Sequence, residues 1–180
     1  NILAGHSGIR TIDQFDVARF ATRFAGSIRD FDCSRYLSGT EARRLDKFVQ
    51  FGIVAANQAI EDAELAVHEA NAHRVGALIG SGIGGVSFIE SSCDILNTSG
   101  PKRVSPFFVP GAIINMVAGH LSIQHGFSGP NLATATACTS STHALGLGAR
   151  LIAWGDADVM VAGGAEGAVS ALSIAGFSAA

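Results

Sequence analysis

The stretch that most constrains the fold is the nearly uncharged run of residues 131–180. Its charged residues number only four: Arg150, Asp156, Asp158 and Glu166. Residues 132–137 and 158–163 are typical of apolar strands, and residues 139–154 between them are typical of a helix rich in glycine and alanine. A strand, a helix and a strand within about 30 residues form a βαβ unit, which implies a parallel sheet. We therefore predict an α/β protein whose core lies in this run.

Upstream of this unit, apolar periodicity predicts one more strand and several helices. Ser38 and Glu41 fit a capping box at the start of a long amphipathic helix. Residues 75–80 form a short apolar run that is typical of a buried parallel strand. Residues 1–37 show no sustained period, which indicates an irregular segment with at most short helices. Three prolines between 101 and 110 indicate a rigid loop. The predicted helices span residues 40–64, 85–97 and 111–125.

The composition excludes several classes of protein. Only 15% of the residues are charged and the net charge is −3, which argues against a disordered chain and against a nucleic-acid-binding surface. No apolar run approaches the roughly 18 residues of a membrane span. The three cysteines lie at wide, unequal spacing, which favours a reducing compartment and a cytoplasmic protein.

The two ends of the chain suggest an internal fragment. The chain opens on Asn1 without an initiator methionine or a signal-peptide pattern, and Ala180 lies within an apolar, alanine-rich stretch.

Residues Gly80–Gly85 match the G-x-G-x-x-G pattern of dinucleotide-binding loops, after a predicted strand and before a predicted helix. The acidic residue expected about 20 positions later is missing, because no Asp or Glu occurs between Asp94 and Asp156. We therefore favour a second interpretation, in which the glycines let the backbone pass close to other backbone or to a ligand.

Cys138 lies where a predicted strand meets a predicted helix. A thiol at a helix N-terminus feels the positive end of the helix dipole, which stabilises the thiolate, and nearby backbone N–H groups can hold an oxyanion. Position alone leaves two interpretations open, a catalytic nucleophile and an inert buried thiol. Cys33 and Cys93 have no comparable setting, and we expect neither to take part in chemistry.

The histidines suggest no catalytic pair and no metal site. His143 follows Cys138 by five residues, about 500° around a helix, so the two side chains would point apart on one regular helix. We therefore predict a packed, hydrogen-bonded His143 and not a general base. His120 and His125 are also five residues apart and fail the same one-face test. The sequence predicts no metal site and no cofactor.

Residues 134–140 (TATACTS) and 155–166 (GDADVMVAGGAE) strongly resemble the β-ketoacyl-acyl carrier protein synthases, particularly their bacterial members. Residues 80–85, 105–110 and 115–120 resemble further stretches of that family, in its order. The resemblance extends over essentially the whole chain.

This resemblance implies a thiolase-like, layered αβαβα fold, a homodimer, and an enzyme of fatty-acid elongation. Residues 1–180 would be part of the N-terminal domain, with the family's first strand and whole C-terminal half outside them. The implied reaction is a decarboxylating Claisen condensation of an acyl group with malonyl-acyl carrier protein. The family's two active-site histidines, a lysine and a second oxyanion donor belong to the C-terminal half. We therefore expect the 180 residues alone to be inactive in malonyl decarboxylation.

The resemblance also implies roles for individual residues. Cys138 would attack the acyl thioester, with its own N–H as one oxyanion donor. Ile83 would line and gate the acyl tunnel, and Phe108 would contribute to it from the neighbouring subunit. Arg43 and Arg44 would dock the acidic carrier protein, although a basic cluster at this place also fits an ordinary solvated face.

Three alternatives remain open from the sequence. A ketosynthase of a polyketide pathway and a thiolase-like enzyme acting on coenzyme A thioesters would both share Cys138. A non-catalytic partner resembling a chain-length factor would keep the fold, but retention of Cys138 counts against it.

Overall fold

The computed structural model describes residues 2–180, which divide into two compact units. One unit comprises the described residues up to Asp32 together with Ala168–Ala180, and the other comprises Cys33–Gly167. The strands are β1 (Ile9–Thr11), β2 (Phe24–Gly26), β3 (Val75–Gly80), β4 (Asn131–Thr134) and β5 (Val159–Gly164). The α-helices are α1 (Gly39–Ala42), α2 (Lys47–Asp62), α3 (Val86–Ser99), α4 (Phe108–Ala112), α5 (Met116–His125), α6 (Ser140–Ala153) and α7 (Ala171–Ala179).

The smaller unit contains an antiparallel β1–β2 pair, in which Ile9 lies opposite Gly26, and the C-terminal helix α7. The interpretation of residues 1–37 as irregular missed this pair. Each strand has only three residues, and these are exposed or half-buried, so neither shows the alternation that marks a strand in a sequence.

The larger unit is built on a three-stranded parallel sheet in the order β4–β3–β5. Leu78 at the centre of β3 lies beside Leu132 of β4 and Ala162 of β5. Every residue of β3 is buried. The parallel sheet and the strand at 75–80 are confirmed.

Alternate residues of β3 face two different helical layers, as the two-residue period of a strand requires. Ala77 and Ile79 belong to the core formed with α2 and α5, whereas Leu78 packs against Ala144 and Leu151 of α6. The largest fully buried side chains of α2 and α5 are those of Phe48, Val49, Ile53, Val117 and Leu121. The unit is thus three layers, helices–sheet–helix, with β3 at its centre.

The long helix predicted over 40–64 is two helices. The capping box is confirmed: the Ser38 hydroxyl accepts from the Glu41 N–H at 3.2 Å, and the Glu41 carboxylate accepts from the Ser38 N–H at 2.8 Å. However, α1 ends at Ala42 and α2 begins anew at Lys47, because Asp46 provides a second N-cap. The apolar period continues across the break, which is why periodicity alone did not reveal it.

The helix predicted over 111–125 is also interrupted, and the prolines do not mark a simple loop. Residues Pro101–Arg103 form a 3-10 turn, and Pro110 lies in the first turn of α4, where its missing N–H costs nothing. Ile113 is extended and exposed between α4 and α5, so it does not share the buried face of Val117.

The expectation that residues 131–180 form the core is wrong for this chain. Strand β4 ends at Thr134 and lies at the sheet edge with Leu132 41% exposed. On α6, Leu145 is exposed as well, and Trp154 just beyond the helix is 64% exposed. The low charge of this region therefore reflects exposed apolar side chains as well as buried ones. The deepest core lies around β3, α2 and α5.

Candidate active site

Cys138 lies in a tight turn between β4 and α6, immediately before the helix N-cap Thr139. Ala137 has a φ of +53°, a left-handed conformation that costs an L-residue roughly 1–2 kcal/mol. Buried Ser140 holds this turn on both sides. Its hydroxyl accepts from the Thr136 N–H at 2.9 Å and donates to the Ala137 carbonyl at 2.6 Å. The backbone before Cys138 is thus fixed by a side chain in the first turn of α6.

A second set of hydrogen bonds surrounds the same turn. The Thr139 hydroxyl donates to the Thr136 carbonyl at 2.6 Å, and the His143 Nδ1 lies 2.7 Å from the Thr136 hydroxyl. His143 is therefore hydrogen-bonded, as predicted, but it is exposed and not packed. Because α6 begins at Ser140, Cys138 precedes the helix, and the angle expected for two residues on one helix does not describe this pair.

The N-terminus of α6 is open in the sense that no side chain of residues 2–180 caps it. Within the described part of the chain, Thr139 makes no side-chain hydrogen bond to the N–H groups of the helix. Cys138 is exposed in this chain, so a reagent can reach it. An exposed thiol beside the positive end of a 14-residue helix has the setting of a nucleophile.

The other two cysteines have different surroundings. Cys93 is exposed on α3, seven residues after the helix begins. Cys33 is half-buried, and its thiol lies 3.8 Å from the Gln50 side-chain oxygen. Neither lies at a helix N-terminus.

The glycine loop that follows β3 is held by a carboxylate from the loop that follows β5. The Glu166 Oε2 accepts from the Gly82 N–H at 2.8 Å and from the Ile83 N–H at 3.0 Å. The Ser81 hydroxyl lies 3.4 Å from Glu166 Oε1 and accepts from the Gly84 N–H at 3.1 Å. Three successive N–H groups of the loop therefore have acceptors within the chain.

Two of these glycines permit close contact with the turn that carries Cys138. A Cβ on Gly80 would come within 2.5 Å of the Ser140 carbonyl oxygen. A Cβ on Gly82 would lie 2.9 Å from the Glu166 carboxylate and 3.5 Å from the Ala137 carbonyl oxygen. This agrees with the packing interpretation of the G-x-G-x-x-G pattern. The amides that would receive a pyrophosphate in a dinucleotide site instead bind Glu166 and Ser81.

A second cluster connects α2, α3 and α4. Asp46 is only 3% exposed, and its carboxylate accepts from the Phe48 N–H at 3.0 Å and the Phe88 N–H at 2.8 Å. Its own N–H donates to the Gly111 carbonyl. Burial raises the pKa of Asp46 above its ordinary value, and Glu166 adds to the rise, while the hydrogen bonds from backbone N–H groups oppose it.

Ile83 lies in the glycine loop just before α3, and Phe108 is the first residue of α4. The Ile83 side chain is 45% exposed and extends from the loop that Glu166 holds. Phe108 is half-buried, with its ring 6.4 Å from that of Phe88. The Gly85 N–H donates to the Ala112 carbonyl at 2.9 Å, which joins the glycine loop to α4.

Arg43 and Arg44 are both exposed at the end of α1. The Arg43 guanidinium donates to the Thr40 hydroxyl at 3.2 Å. The Arg44 guanidinium lies 4.2 Å from the centre of the Phe107 ring, within the range of a cation–π contact. Arg44 therefore joins the basic surface to the loop that precedes Phe108.

Among residues 2–180, no group of three or more His, Cys, Asp or Glu side chains has the arrangement of a metal site. Over the same residues, no helix combines the length and the apolar character needed to cross a bilayer.

Sequence reasoning missed the residues that hold the site together, namely Glu166, Asp46 and Ser140. Glu166 offered a signal, since it is an isolated charge just after an apolar strand, at the strand ends where parallel sheets bind ligands. Asp46 and Ser140 offered little, because a single N-cap residue or a serine at a helix start is common.

A three-layer α/β unit, with a cysteine just before a helix that packs on the sheet, is the arrangement for which relatives among known proteins were found. The model of the family described as beta-ketoacyl synthase, N-terminal domain, matches residues 1–180, and the chain belongs to this family. The chain is similar to the 3-oxoacyl-[acyl-carrier-protein] synthase 2 of Vibrio cholerae, with 55% identity over 179 residues, which are 99% of this chain and 43% of that protein. The enzyme of the same name from Staphylococcus aureus is 44% identical over 99% of this chain and 44% of its own length. The chain thus spans less than half the length of these curated relatives.

Solved structures agree with this assignment. A beta-ketoacyl synthase from Burkholderia phymatum matches with a TM-score of 0.84 and 26% identity, over 98% of this chain and 43% of that one. A type II polyketide ketosynthase, solved in complex with its acyl-carrier protein, matches with a TM-score of 0.75 and 30% identity, over 83% of this chain and 43% of that one. The predicted thiolase-like fold is confirmed.

Proposed function

We propose that this chain supplies the nucleophile-bearing part of a β-ketoacyl-acyl carrier protein synthase, a condensing acyltransferase of fatty-acid elongation. The observation that carries the proposal is the exposed Cys138 in a braced turn before the open N-terminus of α6. Membership of the beta-ketoacyl synthase family supports it. The 55% identity to an enzyme named for 3-oxoacyl-carrier-protein synthesis favours fatty-acid elongation over polyketide synthesis, since the polyketide neighbour is 30% identical.

In the proposed first step, the Cys138 thiolate attacks the carbonyl carbon of an acyl thioester. A carbon–sulfur bond to Cys138 forms, and the bond to the carrier's thiol breaks, so the carrier leaves as a thiolate that takes up a proton. Negative charge develops on the carbonyl oxygen during the attack, and the backbone N–H of Cys138 is proposed as one of its donors. The dipole of α6 favours both the attacking thiolate and this oxyanion.

In the proposed second step, malonyl-carrier protein loses CO₂, and the electron pair of the broken carbon–carbon bond becomes a carbanion equivalent. This carbon attacks the acyl-Cys138 thioester, and the Cys138 thiolate leaves, giving the β-ketoacyl product. The groups that assist decarboxylation are proposed to lie outside these 180 residues. The isolated chain is therefore expected to form no product from malonyl-carrier protein.

The other proposed roles rest on the positions of four side chains. Ile83, which is exposed next to Gly82 in the glycine loop, and half-buried Phe108 are proposed to line the acyl site. Arg43 and Arg44, both exposed, are proposed to contact the acidic carrier protein. The complex between the polyketide ketosynthase and its carrier protein supports a carrier protein as the partner here.

Exposed apolar side chains support a larger assembly. Leu132 on the edge strand, Leu145 on α6 and Trp154 just beyond α6 are each exposed, and apolar side chains that contact other protein are buried only once that protein is bound. We propose that further parts of a longer cytoplasmic protein and a second copy of it, forming a homodimer, cover these faces.

Acyl transfer to Cys138 tests the proposal directly. The complete protein that includes this chain is mixed with acyl-carrier protein, and the thioester adduct is mapped by mass spectrometry. We expect the adduct on Cys138, its loss in Cys138→Ala, and its retention in the matched control Cys93→Ala. An adduct on Cys33 or Cys93, or none in the unmodified protein, would contradict the proposed function.

A further inference from the structure

Glu166 is exposed, yet its carboxylate reaches back more than 80 residues along the chain to two consecutive amides. Hydrogen bonds from N–H groups to an ionised carboxylate are roughly twice as strong as neutral ones. Gly82 makes this approach possible, because a Cβ there would lie 2.9 Å from the Glu166 Oε2. The absence of a side chain at position 82 therefore lets the Glu166 carboxylate reach both amides of the loop.

This contact joins two of the three strand ends at one edge of the sheet, and the third strand leads to Cys138. The glycine loop follows β3, Glu166 follows β5, and the Cys138 turn follows β4. A Cβ on the same Gly82 that donates to Glu166 would lie 3.5 Å from the Ala137 carbonyl oxygen, so Gly82 is close to the residue before Cys138. Fixing Gly82 thus fixes the spacing between the loop and the residue that precedes the nucleophile.

We propose that Glu166 is a positioning residue, which holds the glycine loop and its Ile83 at the distance from Cys138 that the acyl chain requires. The functional effect of this inference rests on the proposed function, in which Ile83 lines the acyl site. Glu166 itself neither attacks the thioester nor exchanges a proton with it. Loss of the carboxylate should weaken binding of the acyl donor and leave the chemistry of the thiol intact.

The test compares four proteins, each as the complete synthase: the unmodified enzyme, Glu166→Gln, Glu166→Leu and the control Glu69→Leu. Glu166→Gln keeps an oxygen that can accept from both amides, whereas Glu166→Leu keeps a similar volume without an acceptor. Glu69 is an exposed acidic residue outside the site. If Glu166→Leu fails to fold, Glu166→Asp replaces it, because the shorter side chain withdraws the carboxylate from the amides.

The first readout is hydrogen exchange at the amides of Gly82 and Ile83, which requires no activity. We expect exchange about tenfold or more faster in Glu166→Leu, because the acceptor of both N–H groups is gone, and within about threefold of the unmodified enzyme in Glu166→Gln. Unchanged exchange in Glu166→Leu would overturn the proposal.

The second readout separates binding from chemistry during acylation of Cys138. In Glu166→Leu the KM for the acyl donor should rise about tenfold, while kcat and the rate of Cys138 alkylation by iodoacetamide change less than about threefold. Comparable impairment of KM, kcat and the alkylation rate would indicate a general structural defect and overturn the proposal. The same changes in Glu69→Leu would also overturn it. If the unmodified enzyme does not acylate Cys138 at all, the proposed function fails, and the exchange measurement still decides the role of Glu166.

Discussion

The N-termini of α2 and α6, both in the larger unit, differ in how they are capped. At α2 the buried carboxylate of Asp46 caps the helix and also binds the Phe88 N–H. At α6 the N-cap Thr139 turns its hydroxyl back to Thr136, and exposed Cys138 precedes it. A helix end filled by the chain's own carboxylate serves stability, whereas one left open can serve a reactive anion.

The largest expected effect comes from removing the carboxylate at α2. Asp46→Ala leaves the buried amide of Phe48 and the partly buried amide of Phe88 without this acceptor, and we expect a loss of about 3 kcal/mol in the free energy of unfolding. The measurement is urea denaturation of the complete protein. Thr139→Ala is the matched N-cap control at α6 and should cost about 1 kcal/mol or less. Equal losses at both positions would remove the contrast between the two helix ends.

The converse change closes the open end. Thr139→Asp gives α6 a capping carboxylate like the one that Asp46 provides at α2. The new carboxylate would accept hydrogen bonds from the helix N–H groups, and its charge would repel a thiolate at Cys138. We expect the rate of Cys138 alkylation by iodoacetamide to fall about tenfold, or roughly 1.4 kcal/mol. Thr139→Asn, of the same shape without the charge, is the control and should lose less than half as much on the logarithmic scale. A rate unaffected by the added charge would mean that the helix end does not act on Cys138.

A smaller effect is expected in the strained turn before Cys138. Ala137→Gly relieves the left-handed strain, but it also increases the freedom of the unfolded chain, so we expect a gain of only about 0.5–1 kcal/mol. Thermal unfolding measures it, with Ala135→Gly as the control for glycine without positive φ. A loss of stability in Ala137→Gly similar to that in the control would show that the turn holds no strain.

The smallest effect is a pH dependence at α2. Because burial raises the pKa of Asp46 in the folded protein, the unfolded chain releases this proton at a lower pH. The contribution of Asp46 to stability is therefore greatest below the ordinary carboxyl pKa, and part of it is lost as the pH rises through the raised one. The melting temperature of the unmodified protein minus that of Asp46→Asn should fall across this window. A melting-temperature difference that rises with pH would contradict the raised pKa of Asp46.

Much of the fold could be predicted from the sequence, because it depends on local signals. The run at 75–80 is apolar on both faces, and the structure confirms a central parallel strand with the same bounds. The Ser38–Glu41 capping box is likewise formed within four residues of chain. The β1–β2 pair and the break before Asp46 were missed, since one has too few residues for a pattern and the other lies inside an uninterrupted apolar period.

By itself, the sequence determined the parallel α/β architecture and the family, and it predicted Cys138 as the nucleophile, since each of these rests on contiguous motifs. Only the tertiary structure decided how Cys138 is held. Ser140 fixes Ala137 by bonds that depend on a left-handed turn, and Glu166 meets Gly82 and Ile83 from more than 80 residues away. Such contacts arise when parallel strands bring their carboxyl ends to one edge, and spacing along the chain carries no record of that distance.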